Sequence, residues 1–223
     1  MKLTTSTLEI LKNFASINPN LVVKSGEPLS TISEAKNIMA SATVSDTFTS
    51  DFGIYDLNEF ISMFNLMSDP DLTFSDSSVQ FASGRSRASY RFADPSILTS
   101  PKNKINMPNA DLTVTISGDV LAQIRKAAGV LGHTIVSIQG NDGTVTLSVV
   151  DPKNSAANTF SVVIDESNDQ KSSFDLQFLI SNLKVIPGDY EVKISSKLIS
   201  HWAHSSASVN YYIALEKSST FNS

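Results

Sequence analysis

The 223-residue chain reads as an α+β protein of two tandem units, each built from antiparallel sheets covered on one face by two helices. Three observations carry that reading. The first is an internal echo: residues 174–183, FDLQFLISNL, repeat the pattern of 55–64, YDLNEFISMF. Asp175 follows Asp56 by 119 residues, and at the same offset Ala88-Ser89 returns as Ala207-Ser208, each just before a tyrosine-containing run. A shared offset over two separate matches points to one unit built twice. The second is that helical stretches are few and never alternate one for one with strands, which excludes a doubly wound α/β fold. The third is a proline-rich, aperiodic stretch between the copies.

Residues 6–17 form the first expected helix, preceded by a short strand at 3–5. Ser6 and Glu9 have capping-box spacing, and Leu8, Ile10, Leu11, Phe14, Ala15 and Ile17 make one broad apolar face. Asn18-Pro19-Asn20 ends it. Strands and turns follow, at 21–23, 29–32 and 38–44, with a polar loop at 46–51. The second helix, 55–67, is capped by Asp56, with Tyr55 and Phe60 spaced as a hydrophobic staple. Leu57, Phe60, Ile61, Phe64 and Met67 keep the helical rhythm. Strands at 72–74, 79–82 and 88–92 close the unit, the last two joined through Ser83-Gly84.

Residues 94–110, DPSILTSPKNKINMPNA, hold three prolines and no period. Composition alone fits a surface loop equally well; the repeat makes it a linker. The expected division is a first domain at 1–94, a linker at 95–110 and a second domain at 111–223. Residues 112–116 alternate as a half-buried strand. Ser117 then caps a helix to about residue 130, with Val120, Leu121, Ile124, Ala127, Ala128 and Leu131 inward. A hairpin turns at 140–143, Gly-Asn-Asp-Gly, between strands at 134–139 and 144–149, and 159–164 is a further strand. The echo stretch is expected as the fourth helix, capped by Asp175. Leu176, Leu179, Ile180 and Leu183 would face inward; Gln177, Ser181 and Lys184 would face outward. Strands at 190–194, 198–202 and 208–215 finish the unit, and 216–223 is a polar tail.

Hydrophobic residues at 41% and charged residues at 17% are enough for buried cores. The chain has no cysteine, which excludes disulfides and thiolate chemistry. No stretch approaches the ~20 apolar residues that span a bilayer, and the start lacks the apolar run of a signal peptide. A soluble, cytoplasmic protein without a membrane partner is expected. No P-loop, dinucleotide-binding glycine motif or nucleophile elbow is present. His201 and His204 lie in a strand-like run, where positions three apart point to opposite faces, so no metal site is expected. The carboxylates at Asp69, Asp71, Asp76 and at Asp165, Glu166, Asp169 fall in serine-rich turns and read as solvated loops. No cofactor is implied, and a non-enzyme is expected.

The net charge is −5, but the distribution matters more than the sum. Lys12 faces out from the first helix, Arg125 and Lys126 from the third, and Lys184 ends the fourth. Side by side these form a basic stripe; taken alone they are ordinary exposed cations.

The order of elements carries a resemblance. LEILKNFASIN, YDLNEFISMF, the proline-rich linker, SGDVLAQIRKAAGVLG, FDLQFLISNLKVIPGDYEV and SVNYYIALEK span nearly the whole chain. In order and spacing they resemble the sliding clamps of DNA replication, most closely those of T4-type bacteriophages. The resemblance implies two tandem clamp-type domains per chain, each with two helices. Clamp rings have six such domains, so it implies a homotrimer closed around double-stranded DNA. It implies a DNA polymerase and a clamp loader as partners, the ring raising processivity without catalysis. Carried over by position, Lys12, Arg125, Lys126 and Lys184 would face DNA, with Lys102 and Lys104 weaker candidates in the linker. The second helix departs from the usual pattern, with Glu59 and no basic residue. The partner pocket would be walled by Ile105, Met107 and Pro108 and by Tyr212, Ile213 and Leu215, with Met39 weaker. Chains would join through 88–92 of one copy and 159–164 of the next. The main alternative is a non-catalytic single-stranded nucleic-acid-binding protein, which would stack bases on aromatics beside cations. Tyr90-Arg91-Phe92 is the one such run. A structural virion protein or an enzyme fits less.

Overall fold

The computed structural model describes residues 1–103, 105–141, 143–166 and 173–222. The chain divides into two compact units, Met1–Lys104 and Ile105–Ser223, the boundary falling inside the proline-rich stretch.

The first unit opens with helix α1, Thr5–Ile17, which buries Ile10, Leu11, Phe14 and Ile17. Its cap is Thr4, not Ser6: Thr4 is extended, and its hydroxyl accepts from the Thr7 amide at 3.3 Å while donating to the Asp46 carboxylate at 2.8 Å. Ser6 already lies in the first turn. Residues 3–5 make no strand; instead Met1 exchanges two backbone hydrogen bonds with Leu72. Strands β1 (Leu21–Val23), β2 (Leu29–Ile32), β3 (Ile38–Ala42) and β4 (Phe52–Ile54) follow, with β1 antiparallel to β4 and β2 to β3. Helix α2, Leu57–Asn65, starts where the Asp56 carboxylate accepts from the Asn58 and Glu59 amides. Then β5 (Asp71–Phe74), β6 (Ser78–Ser83) and β7 (Ser86–Arg91) form an antiparallel meander, with Gly84 at φ 55 in the last turn. Phe60 ties α2 to this sheet, its ring 5.3 Å from Phe81 and 5.6 Å from Tyr90.

The second unit begins with β8, Leu112–Ile116, whose burial alternates as expected. Ser117 caps helix α3, Gly118–Leu131, and Gly132 ends it at φ 69, a conformation glycine adopts without strain. Next come β9 (Ile135–Asn141), β10 (Thr144–Val150), β11 (Phe160–Asp165), β12 (Ser173–Leu179), β13 (Tyr190–Ser195), β14 (Ile199–His204), β15 (Val209–Ala214) and β16 (Thr220–Asn222). One antiparallel sheet runs β11-β10-β9-β12-β16. In a second, β13 lies between β8 and β14, and β14 pairs with β15. At the 140–143 turn, Asn141 pairs with Thr144; Asp142 lies outside the described residues, as does Asp169.

The echo stretch is not a helix. Residues Ser173–Leu179 are a strand, followed by a single 3-10 turn, Ile180–Asn182. The cause is a second periodicity in the same letters. Phe174, Leu176 and Phe178 are 3%, 2% and 1% exposed, a period of two, and Phe178 had no inward place on the helical reading. The strand also pairs with β9 over six residues, from Phe174 opposite Gly140 to Leu179 opposite Ile135. Asp175 spends its carboxylate on the Ser137 hydroxyl and the Gln177 side-chain Nε2–H rather than on helical N–H groups. Among the described residues the second unit therefore has one α-helix, not two, and the chain has three. Each unit contains a three-strand meander, β5-β6-β7 and β13-β14-β15, and a buried tyrosine in its last strand holds a backbone group earlier in the chain. Tyr90 accepts from the Asp56 amide and Tyr211 from the Ile186 amide. The tail is not featureless either, since Thr220–Asn222 pairs with β12.

Candidate nucleic-acid interface and partner groove

In the first unit α1 packs beside α2. Glu9, Lys12 and Ser16 are exposed on α1, and Asn58, Glu59, Ser62 and Asn65 on α2. Lys12 is thus the cation of this helical surface, with Glu9 three residues before it and Glu59 on α2. In the second unit Lys126 is exposed on α3 and Arg125 is half-buried.

Arg125 is engaged inside its own unit. Its Nη2 donates to the carbonyls of Leu183 at 2.9 Å and Val185 at 3.0 Å. The next residue is held just as closely: Tyr190 donates to the Ile186 carbonyl at 2.7 Å, and the Ile186 amide donates to Tyr211 at 3.2 Å. Three side chains thereby satisfy backbone groups of residues 183–186, a segment with no strand or α-helix to pair them. Lys184 sits in this segment, half-buried and not on a helix. The Arg125 clamp was invisible in sequence, because an outward helical position next to Lys126 looks solvated until the partner segment is known.

Burial pushes the Tyr211 phenol up to about 12, and burial, reinforced by the neighbouring Tyr211, pushes Tyr190 upward as well. Below about pH 10 the folded and unfolded chains both keep the Tyr211 proton. Between about 10 and about 12 the unfolded chain ionises first, so this contribution to stability is lost as pH rises. Chemical denaturation between pH 8 and 11.5 is expected to show that alkaline decline, and Tyr211→Phe should flatten part of it. An equal slope in both proteins would place the decline elsewhere.

Of the expected pocket residues, Ile105, Met107 and Pro108 are half-buried. Ile213 is 0% and Leu215 6% exposed. Along β15, Val209, Tyr211 and Ile213 point into the core and Tyr212 to the opposite face, where its ring lies 4.9 Å from that of His201. The structure therefore brings Ile213 and Leu215 into the core and leaves Tyr212 on the other side of the strand. Asp111 anchors the chain just before β8 by accepting from the Ser196 amide at 2.6 Å. Met39 is buried and Lys102 exposed, while Lys104 lies outside the described residues.

The rings proposed to stack bases are already committed. Tyr90 is 6% exposed with its hydroxyl on Asp56, and Phe92 stacks on Phe52 at 4.6 Å. His201 lies against Tyr212 and Asn210, while His204 meets the Pro187 carbonyl. Among the described residues no group of three His, Asp or Glu is placed to hold a metal ion. Among the described residues no helix is long and apolar enough to cross a membrane.

Both units match known families. The DNA polymerase processivity factor family matches residues 2–99, and the family described as gp45 sliding clamp, C terminal, matches residues 113–217. The chain is 31% identical to a sliding clamp of Vibrio phage KVP40, over 97% of this chain and 99% of that one. It is 30% identical to a sliding clamp of Enterobacteria phage T4, over 99% of each. In fold it is similar to A. fulgidus PCNA solved with the C-terminal region of FEN-1, at a TM-score of 0.68 and 12% identity over 96% of each chain.

Proposed function

Because the chain belongs to the sliding-clamp family of DNA polymerase processivity factors, we propose that it works as a closed ring of three copies around duplex DNA. The observation that carries this is the match through both units: relatives named sliding clamp align over essentially the whole chain. Sliding clamps are non-catalytic, and retention on DNA comes from ring closure, so a net charge of −5 is no obstacle.

The ring reading draws support from two edge strands. β7 ends the β5-β6-β7 sheet, and β11 ends the five-stranded sheet. Edge strands present a row of backbone groups ready to pair with another chain. They are also complementary in charge: β7 carries the exposed Arg87 and Arg91, and β11 runs into Asp165 and Glu166. A head-to-tail joint of unlike edges closes into a ring when its rotation permits. Sedimentation across micromolar concentrations should show a trimer or a monomer–trimer equilibrium, and the loaded protein should raise polymerase processivity on circular DNA. A strict monomer without stimulation sinks the reading.

Lys12, Lys126 and Lys184 face DNA in this reading and touch phosphate, since base-specific contacts would stop sliding. Arg125 adds charge behind them while holding the 183–186 segment. Replacing the three lysines together by Ala is expected to weaken loading and to flatten its dependence on salt. Unchanged processivity and salt slope would mean these side chains do not meet DNA. A polymerase or loader supplies an apolar peptide to the surface near Ile105, Met107, Pro108 and Tyr212, with Ile213 and Leu215 behind it in the core.

A further inference from the structure

The five-stranded sheet has two long strands at which pairing could continue, and the chain treats them differently. β11, Phe160–Asp165, is open on its outer side, whereas β12, Ser173–Leu179, is covered by the chain's own C-terminal segment. The cover follows β12 group by group. Asn222, Phe221 and Thr220 pair with Ser173, Phe174 and Asp175. The tail then turns, and the Gln177 amide donates to the Ser219 hydroxyl at 2.9 Å while its carbonyl accepts from the Glu216 amide at 2.8 Å. The Ser218 hydroxyl donates to Gln177 Oε1 at 2.7 Å, which explains how a glutamine can be 5% exposed at a sheet edge.

Phe221 fixes the segment in register. Its ring lies nearly parallel to that of Phe174, at 8° and 5.6 Å. The Phe174 ring in turn occupies the space beside Gly140, where a Cβ would come within 2.2 Å of it. The tail's strand is only three residues long and starts and ends on polar side chains. A strand that short is a poor template for further pairing, whereas the seven residues of β12 would be a good one.

We propose that β16 is a built-in cover that keeps a second copy of this chain from pairing at β12, so that β11 is the edge left for assembly. Uncovered, β12 would offer the six-residue β7 edge of another copy a ladder as long as the one β11 offers, and joints at both edges would grow open chains rather than closed rings. The inference rests on the reading of β7 and β11 as the joint between copies.

The test is a chain truncated after Glu216, followed by light scattering over a concentration series and by amide hydrogen exchange. Exchange at residues 173–177 is expected to speed up at least tenfold while β9 and β13 stay protected, and species heavier than the intact assembly should grow with concentration. Fast exchange at 173–177 with an unchanged mass distribution overturns the proposal. Should truncation cost β9 its protection, the full-length Phe221→Ala chain decides instead: heavier species with faster exchange at Phe174 and Asp175 support the cover, and unchanged masses overturn it. A truncated chain also carrying Val163→Lys separates the two readings. If the β11 joint is wrong, the intact chain is insensitive to Val163→Lys, while the truncated one still aggregates through β12.

Discussion

Val163→Lys is expected to turn the assembled protein into single folded chains at micromolar concentration. Val163 lies at the middle of the open edge strand β11 and is 49% exposed, so a lysine there costs the isolated chain little. In the proposed joint it would face a strand bearing Arg87 and Arg91, and like charges brought together at an interface are strongly disfavoured. Even about 1.4 kcal/mol per joint is a tenfold loss, and a ring with three equal joints would lose on the order of a thousandfold in its assembly constant. Sedimentation reads the mass, and primer extension on circular DNA reads the lost processivity. A Val163→Lys protein that stays trimeric and active removes β11 from the joint.

Arg125→Ala is expected to destabilise the second unit by about 2–4 kcal/mol, because two carbonyls lose a charged donor and the segment they hold has no helical bonds of its own. For a chain of this size that is a fall in melting temperature of roughly 5–15 °C. Arg125→Lys should recover only part of it, since a rotating ammonium is not held in the guanidinium plane that aims the two Nη2 hydrogens at both carbonyls. Lys126→Ala, one position along the same helix and exposed, should change stability by no more than about 0.5 kcal/mol. Equal melting of the Arg125→Ala and Lys126→Ala proteins would mean that the clamp contributes nothing.

The contrast between these neighbours shows where sequence reading stops. Both side chains occupy polar positions of one amphipathic helix, and helical periodicity assigns both to the outer face. What separates them is a segment nearly sixty residues away, whose carbonyls lie within reach of one and not the other. The same limit appears along β15. Tyr212, Ile213 and Leu215 read as one apolar wall in sequence, but strand alternation sends Tyr212 one way and Ile213 the other. The tail gave no signal for β16 beyond Phe221 among polar residues.

The sequence by itself determined the caps of α2 and α3, Asp56 and Ser117, and the apolar faces those helices bury, Leu57, Phe60, Ile61 and Phe64 on one and Leu121, Ile124 and Ala128 on the other. Those features depend on neighbours within one turn, where side chain and backbone meet whatever the rest of the chain does. Only the tertiary structure decided residues 174–183. Their letters satisfy a helical period through Leu176, Leu179, Ile180 and Leu183, and a strand period through Phe174, Leu176 and Phe178. Local pattern cannot rank two periods that both fit. Pairing with β9 on one side and with the tail on the other ranks them, because it satisfies the backbone along both edges and buries Phe174 and Phe178 as well.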